Sequence, residues 1–240
     1  MLATIRQRAG LTGTALKVIA CLTMVIDHVA AGRVFPGIGG ETYDIMRIIG
    51  RLAFPIFCFL LAEGAVRTKS VGKYMLRLAI FAVISEPAYD YLFYGRLVSR
   101  GHQNIYFTLL LGLCAVTVLH AARTRREGIR AACLGLGGVF VCMVIADLLH
   151  TDYGSTGVAL IFCMYLLRSA PRGRELIVCG ALMVLFGYMW WGQLQFYALL
   201  AFPLLLLYNE KRGTGIPRYA FYAFYPAHLA LLGIIRAALG

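Results

Sequence analysis

The sequence of 240 residues is poor in charged side chains and has no cysteine pattern of the kind that binds metal. Charged residues make up 14% of the chain, whereas a soluble domain carries about 25%, and hydrophobic residues make up 60%. The seven cysteines all lie in apolar segments without CxxC or metal-ligand spacing, which favours small buried hydrophobic residues. The composition excludes a soluble globular protein, and we predict no metal site.

The chain also lacks an internal repeat, a low-complexity stretch and a linker between domains, so we predict one domain over residues 1–240. A transmembrane helix needs about 20 apolar residues, and a mean hydropathy of +0.76 leaves room for roughly nine such helices. The predicted fold class is all-α, a polytopic transmembrane bundle of about nine helices with a range of eight to ten. Hydropathy and helix breakers place the spans near residues 14–32, 44–66, 72–94, 104–122, 131–149, 155–168, 174–190, 194–208 and 219–239.

The net charge of +12 would indicate a nucleic-acid partner in a soluble protein, but here the basic residues belong to loops between spans, and we predict no nucleic-acid binding. Seventeen of the 23 Lys and Arg residues fall in alternate loops. These are Arg6, Arg8, Lys17, Arg67, Lys69, Lys73, Arg77, Arg123, Arg125, Arg126, Arg130, Arg168, Arg172, Arg174, Lys211, Arg212 and Arg218. The other loops keep only Arg33, Arg96 and Arg100. The positive-inside rule therefore predicts a cytoplasmic N-terminus and an extracytoplasmic C-terminus.

Several ionisable residues lie within the predicted spans, where facing lipid costs about 2.5–3.5 kcal/mol, so they are expected to face the bundle interior. Most fall near the extracytoplasmic ends of the spans: Asp27, His28, Arg47, Arg51, Glu86, Asp90, Gln103, Asn104, Asp147, His150 and Asp152, with His228 in the last span. Pairs three or four residues apart, such as Arg47 and Arg51, share one helix face. Either they fasten the bundle as ion pairs or they form an active site, and the residues alone leave both readings open.

Lys17 and His28 form a second pattern in the first span. Eleven residues separate them, a rise of about 16 Å and a rotation about 20° beyond three full turns, so both side chains line one helix face. A cation at the cytoplasmic mouth and an imidazole base near the far side suit a long cofactor such as an acyl-coenzyme A. The alternative is an ordinary lysine that extends its ammonium to the membrane surface.

Six segments together are similar to a known family. They are KVIACLTMVIDH (17–28), RIIGRLAFPIFCFLLAEG (47–64), SEPAYD (85–90), QNIYFTLLLG (103–112), ADLLHTDYGSTG (146–157) and FYPAHLALL (224–232). With them the chain resembles the TraX family, named for the F-pilin acetylation protein of conjugative plasmids and related to the transmembrane acyltransferases. In the acyltransferase-3 proteins of that superfamily, a basic residue, ten intervening positions and a His mark the first helix. Lys17 and His28 match this motif residue by residue.

The resemblance implies a multi-pass acetyltransferase of the bacterial inner membrane. It would move an acetyl group from cytoplasmic acetyl-CoA to an amine or hydroxyl on a protein N-terminus, a sugar or a small amine, in a lipid bilayer and without a metal. His28 is the expected general base, oriented by Glu86 or Asp147, while Arg47 and Arg51 stabilise the oxyanion. Asp27 is grouped with these catalytic residues, but it points about 100° away from its neighbour His28 and is badly placed to orient it.

The expected ligands of the two substrates complete the set. Lys17, Arg67, Lys69 and Lys73 are expected to bind CoA, and Asp90, Gln103, Asn104, Asp152 and His228 to bind the acceptor. Helix capping, a tight turn and a helix kink are the plainer readings for members of the second group. Two other functions stay open: a secondary transporter or proton-coupled carrier, because acids and histidines within the membrane also serve relays, and a non-catalytic pilus-assembly protein.

Overall fold

A computed structural model describes residues 10–99, 101–125 and 128–239. Within these ranges every extended regular element is helical, and strand-like pairing is confined to two isolated bridges, Leu11 with Tyr208 and Gln103 with Thr151. The α-helices are α1 (Gly13–Ala31), α2 (Gly40–Gly50), α3 (Ala53–Arg67), α4 (Val71–Tyr94), α5 (Ile105–Arg125), α6 (Gly128–Leu148), α7 (Gly154–Leu167), α8 (Arg172–Phe186), α9 (Ala201–Leu206) and α10 (Arg218–Leu239). A π-helical segment (Gly187–Trp191) extends α8, and a 3-10 helix (Gln193–Leu200) leads into α9.

The predicted membrane bundle of helices is confirmed. Five helices of the described chain are long and apolar enough to cross a membrane: Gly13–Ala31, Gly40–Arg67, Ile105–Thr124, Gly128–Leu148 and Tyr219–Leu239. The second of these is interrupted between α2 and α3. The helices at Gly154–Leu167 and Gln193–Leu206 are shorter, as the short apolar runs of the sequence predict.

Local signals in the sequence fix several helix ends. The Thr12 hydroxyl accepts a hydrogen bond from the Ala15 N–H (3.1 Å) at the start of α1, and the Ser70 hydroxyl accepts one from Lys73 N–H (3.4 Å) at the start of α4. Such side-chain caps satisfy N–H groups that have no partner in the first turn. Gly95 ends α4 in the left-handed conformation (φ 70°), which glycine adopts without steric cost.

The predicted basic loops meet at one end of the bundle. The N–H groups of Gly13 and Thr14 donate to the carbonyls of Lys211 and Arg212 (2.8 Å each), and the Arg67 guanidinium donates to the Glu210 carbonyl (2.5 Å). Loops far apart in sequence therefore share this end, which we call the basic end. Four of the basic residues on which the orientation rests, Arg6, Arg8, Arg100 and Arg126, lie outside the described residues.

Helices α1, α4 and α10 run in the same direction side by side. Lys17 of α1 lies against Phe221 of α10, and eleven residues later His28 lies against His228. In the same sense, Phe81 and Tyr91 of α4 contact Tyr222 and Gly233 of α10. Parallel helices start on the same side of a membrane, so the chain has to cross it an even number of times between the start of one and the start of the next. The arrangement also brings the polar ends of the three helices together, opposite the basic end.

Candidate active site

A cavity of about 370 Å³ lies at the polar end of the bundle, opposite the basic end. Its size falls within the range of about 300–1,000 Å³ that is usual for small-molecule sites. Five of the predicted residues line it: Asp27, His28, Arg47, Arg51 and Asp152. Aromatic side chains form most of the remaining wall: Phe54, Phe57, Tyr89, Phe93, Tyr94, Tyr153 and Tyr225. Charged groups and aromatic rings thus share one cavity.

Asp27 is held between two arginines. Its Oδ2 accepts from Arg47 Nη1 at 2.7 Å and its Oδ1 accepts from Arg51 Nη2 at 2.8 Å. Arg47 and Arg51 are one helical turn apart, so both reach the same carboxylate. Gly50 lies between them, and a Cβ there would overlap the Asp27 side chain. Glycine at position 50 therefore permits the approach of α2 to α1 on which this ion pair depends.

The arginine pair has a further partner that sequence reasoning missed. Gln195, in the 3-10 helix and 1% exposed, accepts a hydrogen bond from Arg51 Nη1 at 3.3 Å. The only signal in the sequence is a polar side chain within the short apolar stretch at 194–208. Arg51 Nε is buried and makes no hydrogen bond within the described chain.

The His28 ring is oriented by His228. The His28 Nδ1 lies 2.8 Å from His228 Nε2, and His228 Nδ1 lies 2.9 Å from the Phe224 carbonyl oxygen. A carbonyl oxygen only accepts, so His228 Nδ1 carries the hydrogen, and with neutral rings His228 Nε2 accepts from His28 Nδ1. This assignment leaves a lone pair on His28 Nε2, which makes no hydrogen bond within the described residues.

Ring packing fixes the same imidazole in place. The two histidine planes are nearly parallel (8°) with centroids 5.1 Å apart, and Phe93 and Tyr225 meet the His28 ring edge-on at 5.4 and 6.1 Å. Because His28 also lines the cavity, the arrangement presents a neutral, oriented base to whatever occupies it.

The similarity to known proteins covers the part of the chain that contains these site residues. The family model described as TraX protein matches residues 12–236, a range that contains both histidines and the Asp27 ion pairs. The chain belongs to the TraX family.

Two relatives extend the comparison. A protein described as probable fimbrial assembly protein FimC, serogroup H1, from Dichelobacter nodosus is 31% identical over 241 residues, 90% of this chain and 92% of its own. The uncharacterized protein RP591 of Rickettsia prowazekii (strain Madrid E) is 33% identical over 101 residues, 42% of this chain and 35% of its own. No solved structure matches the chain.

Asp152 reaches the cavity of the TraX-family chain from the turn between α6 and α7. Burial raises the pKa of its carboxyl to about 6, and the Asp27 charge also raises it, while Arg51 and Arg47 lower it. Thr108 holds this turn, since its hydroxyl donates to the Asp152 carbonyl and contacts the Thr151 hydroxyl. The next residue, Tyr153, stacks on Phe54 with centroids 3.6 Å apart. The turn is thus a rigid wall that carries a titratable group.

The other predicted polar residues lie outside the cavity. Glu86 accepts from the side chain and the backbone N–H of Asn104, which also donates to the Ala82 carbonyl (2.8 Å). Asp90 accepts from Ser99 N–H at 2.5 Å and Asp147 from Ser155 N–H at 2.6 Å. The backbone of Gln103 pairs with that of residues 150 and 152. These side chains and backbone groups tie helix ends to loops.

This geometry corrects one expectation about the TraX-family site. Neither Glu86 nor Asp147 contacts His28, because each carboxylate is bound to a helix start of its own. The group that orients the ring is His228, which the sequence suggested only as an acceptor ligand or a kink residue.

The predicted CoA-binding residues lie towards the basic end. Lys17 Nζ lies 5.3 Å from the centre of the Phe221 ring, so Lys17 and His28 both face α10, as their spacing predicts. Lys17 does not line the cavity, whose lining residues on α1 begin at Met24. Arg67 pairs with Glu63 at 2.8 Å, while Lys69 and Lys73 are exposed near the start of α4.

Proposed function

We propose that this protein is an integral membrane acetyltransferase that moves an acetyl group from acetyl-CoA to an amine or hydroxyl acceptor in the cavity. The observation that carries the proposal is the imidazole of His28, hydrogen-bonded through Nδ1 to His228 and unpaired at Nε2, beside two arginines. Membership of the TraX family supports acetylation, and the relative described as a fimbrial assembly protein supports a pilus-related acceptor. We place it in a bacterial inner membrane with a cytoplasmic N-terminus, following the distribution of positive charge.

In the proposed reaction, His28 Nε2 takes a proton from the acceptor, whose nitrogen or oxygen attacks the thioester carbonyl carbon. An α-amine with a pKa of about 8 is mostly protonated at pH 7, so it first loses one proton to water, and His28 takes a second proton as the neutral nitrogen attacks the carbon. The tetrahedral intermediate collapses, the carbon–sulfur bond breaks, and the CoA thiolate takes the proton from His28. His228 acts as a positioning residue, since its Nε2 accepts from His28 Nδ1 and stabilises the transient imidazolium.

Arg51 is the best-placed group for the oxyanion of the intermediate. Its Nη2 is bound to Asp27 and its Nη1 to Gln195, and each of these nitrogens carries a second N–H that can donate to the oxyanion. A preorganised donor in a dry site contributes about 2.7–4 kcal/mol to such a transition state. Asp27 has the supporting task of holding Arg47 and Arg51 at the cavity wall.

The donor has to arrive from the basic end, where Lys17 would bind the charged head of CoA. Lys17 and Met24, where the cavity begins, are seven positions apart on α1, a rise of about 10 Å. Tyr106 packs edge-on against Tyr225 at 5.0 Å on the neighbouring helices. Because the cavity reaches only to Met24, the proposal requires a passage past this tyrosine pair to open when the donor binds.

The test uses purified protein in liposomes with labelled acetyl-CoA on the side of the basic end and peptides with free N-termini as acceptors. We expect His28→Gln to lower kcat by about 10²–10⁴ and Lys17→Gln to raise the KM for acetyl-CoA. His228→Gln should lower kcat and shift the pH profile of kcat. His102→Gln is the matched control, since His102 is exposed at the same end and does not line the cavity.

Three results would overturn the proposal. Unchanged acetylation by His28→Gln excludes the base assigned here. Accumulation of the acceptor in the liposomes without acetylation favours a transporter. Normal pilus output in cells that carry His28→Gln, together with no acetylation by the wild type, favours a non-catalytic assembly protein.

A further inference from the structure

A second cavity, of about 400 Å³, lies at the same end of the bundle between the end of α1, α4 and α10. It shares no lining residue with the first cavity. Tyr91 of α4 and Gly95, which follows that helix, line it, whereas Tyr89, Phe93 and Tyr94 line the first cavity. Residues two apart on a helix point about 200° apart, so α4 separates two distinct spaces.

Two arginines line this second cavity, and none of its lining residues is acidic. Arg33 follows α1 in a left-handed turn (φ 48°) and is exposed, and Arg236 lies in the last turn of α10. Arg236 Nη1 donates to the Leu92 carbonyl at 2.5 Å, which uses one of its five N–H donors. Two guanidinium groups therefore face one space without a carboxylate on its wall.

The placement of these arginines is unusual for this end of the bundle. The sequence puts only Arg33, Arg96 and Arg100 in the loops opposite the basic ones, and Arg236 near the chain end. Two of these four converge on one cavity. An anion in this cavity would meet two positive charges on its wall.

We infer that this cavity binds a phosphate group, and that its natural occupant is an anionic phospholipid headgroup. The planar guanidinium fork matches phosphate oxygens in bidentate geometry, for which arginine is better suited than lysine. At Gly95 an added Cβ would meet nothing within 4 Å, so the groove has room beside it, while Tyr91 packs against Gly233. Ile234, next to Gly233 on α10, is 64% exposed, and Phe35, between the lining residues Val34 and Pro36, is 44% exposed, so apolar surface is present along which the acyl chains of a lipid can lie.

The binding test uses the full chain in detergent micelles, titrated with phosphatidylglycerol, phosphatidylcholine or inorganic phosphate while thermal unfolding is followed. We expect phosphatidylglycerol to raise the Tm of the wild type more than phosphatidylcholine does. Arg33→Gln should weaken phosphatidylglycerol binding roughly 10-fold to 100-fold, since a charged hydrogen-bond donor to the anion is lost. The matched control is Arg96→Gln, an exposed arginine at the same end that does not line the cavity.

Each arm decides one part of the inference. Equal shifts with inorganic phosphate and with phosphatidylglycerol, both lost in Arg33→Gln, support the phosphate site and overturn the lipid as its occupant. Full phosphatidylglycerol affinity in Arg33→Gln overturns the site itself, and equal affinity for phosphatidylcholine, whose headgroup has a phosphate but no net charge, overturns an anionic headgroup as the occupant. Arg236→Lys keeps the charge near the Leu92 carbonyl and tests the second arginine without removing its role at the end of α4. Acetyl transfer is not measured, so the outcome does not depend on the proposed enzymatic function.

Discussion

Replacing Asp27 by Asn tests how much the buried ion pairs stabilise the bundle. Asn has nearly the same shape but no charge, so the change leaves Arg47 and Arg51 without the carboxylate that they share at 2.7 and 2.8 Å. The Arg47 and Arg51 side chains are only 21% and 15% exposed, and that of Asp27 11%. Water therefore compensates little for the lost charge.

The size of the effect follows from charge and burial. Two unit charges about 4 Å apart attract by about 4 kcal/mol at an effective dielectric constant of about 20. Removing one partner from a buried pair costs about 3–5 kcal/mol in measured cases, because a charge stays behind unpaired. We expect Asp27→Asn to lower the free energy of unfolding by about 3–5 kcal/mol.

A second ion pair with the same nitrogen–oxygen distance provides the control. Arg67 Nη2 and Glu63 Oε2 are also 2.8 Å apart, and Glu63 is 13% exposed, but the Arg67 side chain is 49% exposed and water can solvate its charge. Pairs of this i,i+4 kind contribute about 0.3–0.5 kcal/mol. Equilibrium denaturation in detergent micelles, followed by circular dichroism, should therefore separate Asp27→Asn clearly from Glu63→Gln. If the two variants lose the same stability, burial does not set the strength of these pairs and the reasoning is refuted.

Two further changes probe the same cavity. Gly50→Ala places a Cβ against the Asp27 side chain and should lower the free energy of unfolding by about 1–3 kcal/mol through overpacking. The control is Gly72→Ala, where an added Cβ meets nothing within 4 Å, and it should be neutral or slightly stabilising in the same unfolding assay. Equal effects of the two changes would contradict the contact between Gly50 and Asp27. The pKa of Asp152 is raised from 3.8 to about 6 in the folded chain, so its stabilising contribution is complete below about pH 3.8 and is lost as the pH rises through 6. Wild type should thus lose stability relative to Asp152→Asn between about pH 4 and pH 6, and a constant difference across that window would show that the carboxyl does not titrate there.

Of the nine spans that hydropathy predicts, five correspond to helices in the described chain that are long and apolar enough to cross a membrane, and the structure brings several of the basic loops to one end. Spacing along one helix also predicts local geometry correctly. Arg47 and Arg51 bind the same carboxylate, and Lys17 and His28 both face α10. Such inferences succeed because helix periodicity alone fixes which side chains share a face.

Helix periodicity does not predict contacts between helices that are distant in sequence. The partner of His28 lies 200 residues away, and no spacing rule tells which span packs against α1. The sequence groups Glu86 and Asp147 with His28, but each carboxylate binds the nearest helix start instead of the imidazole. Gln195 was missed because a single polar side chain in a short apolar stretch gives no sign of the arginine that it meets.

The histidine contact joins the first long helix of the chain to the last one. At about 5–20 residues per second, a ribosome takes roughly 10–40 s to add the 200 residues that separate His28 from His228. Until α10 enters the bilayer, the first imidazole has no partner to set its tautomer. Synthesis itself thus delays pairing of the two imidazoles until α10 is inserted.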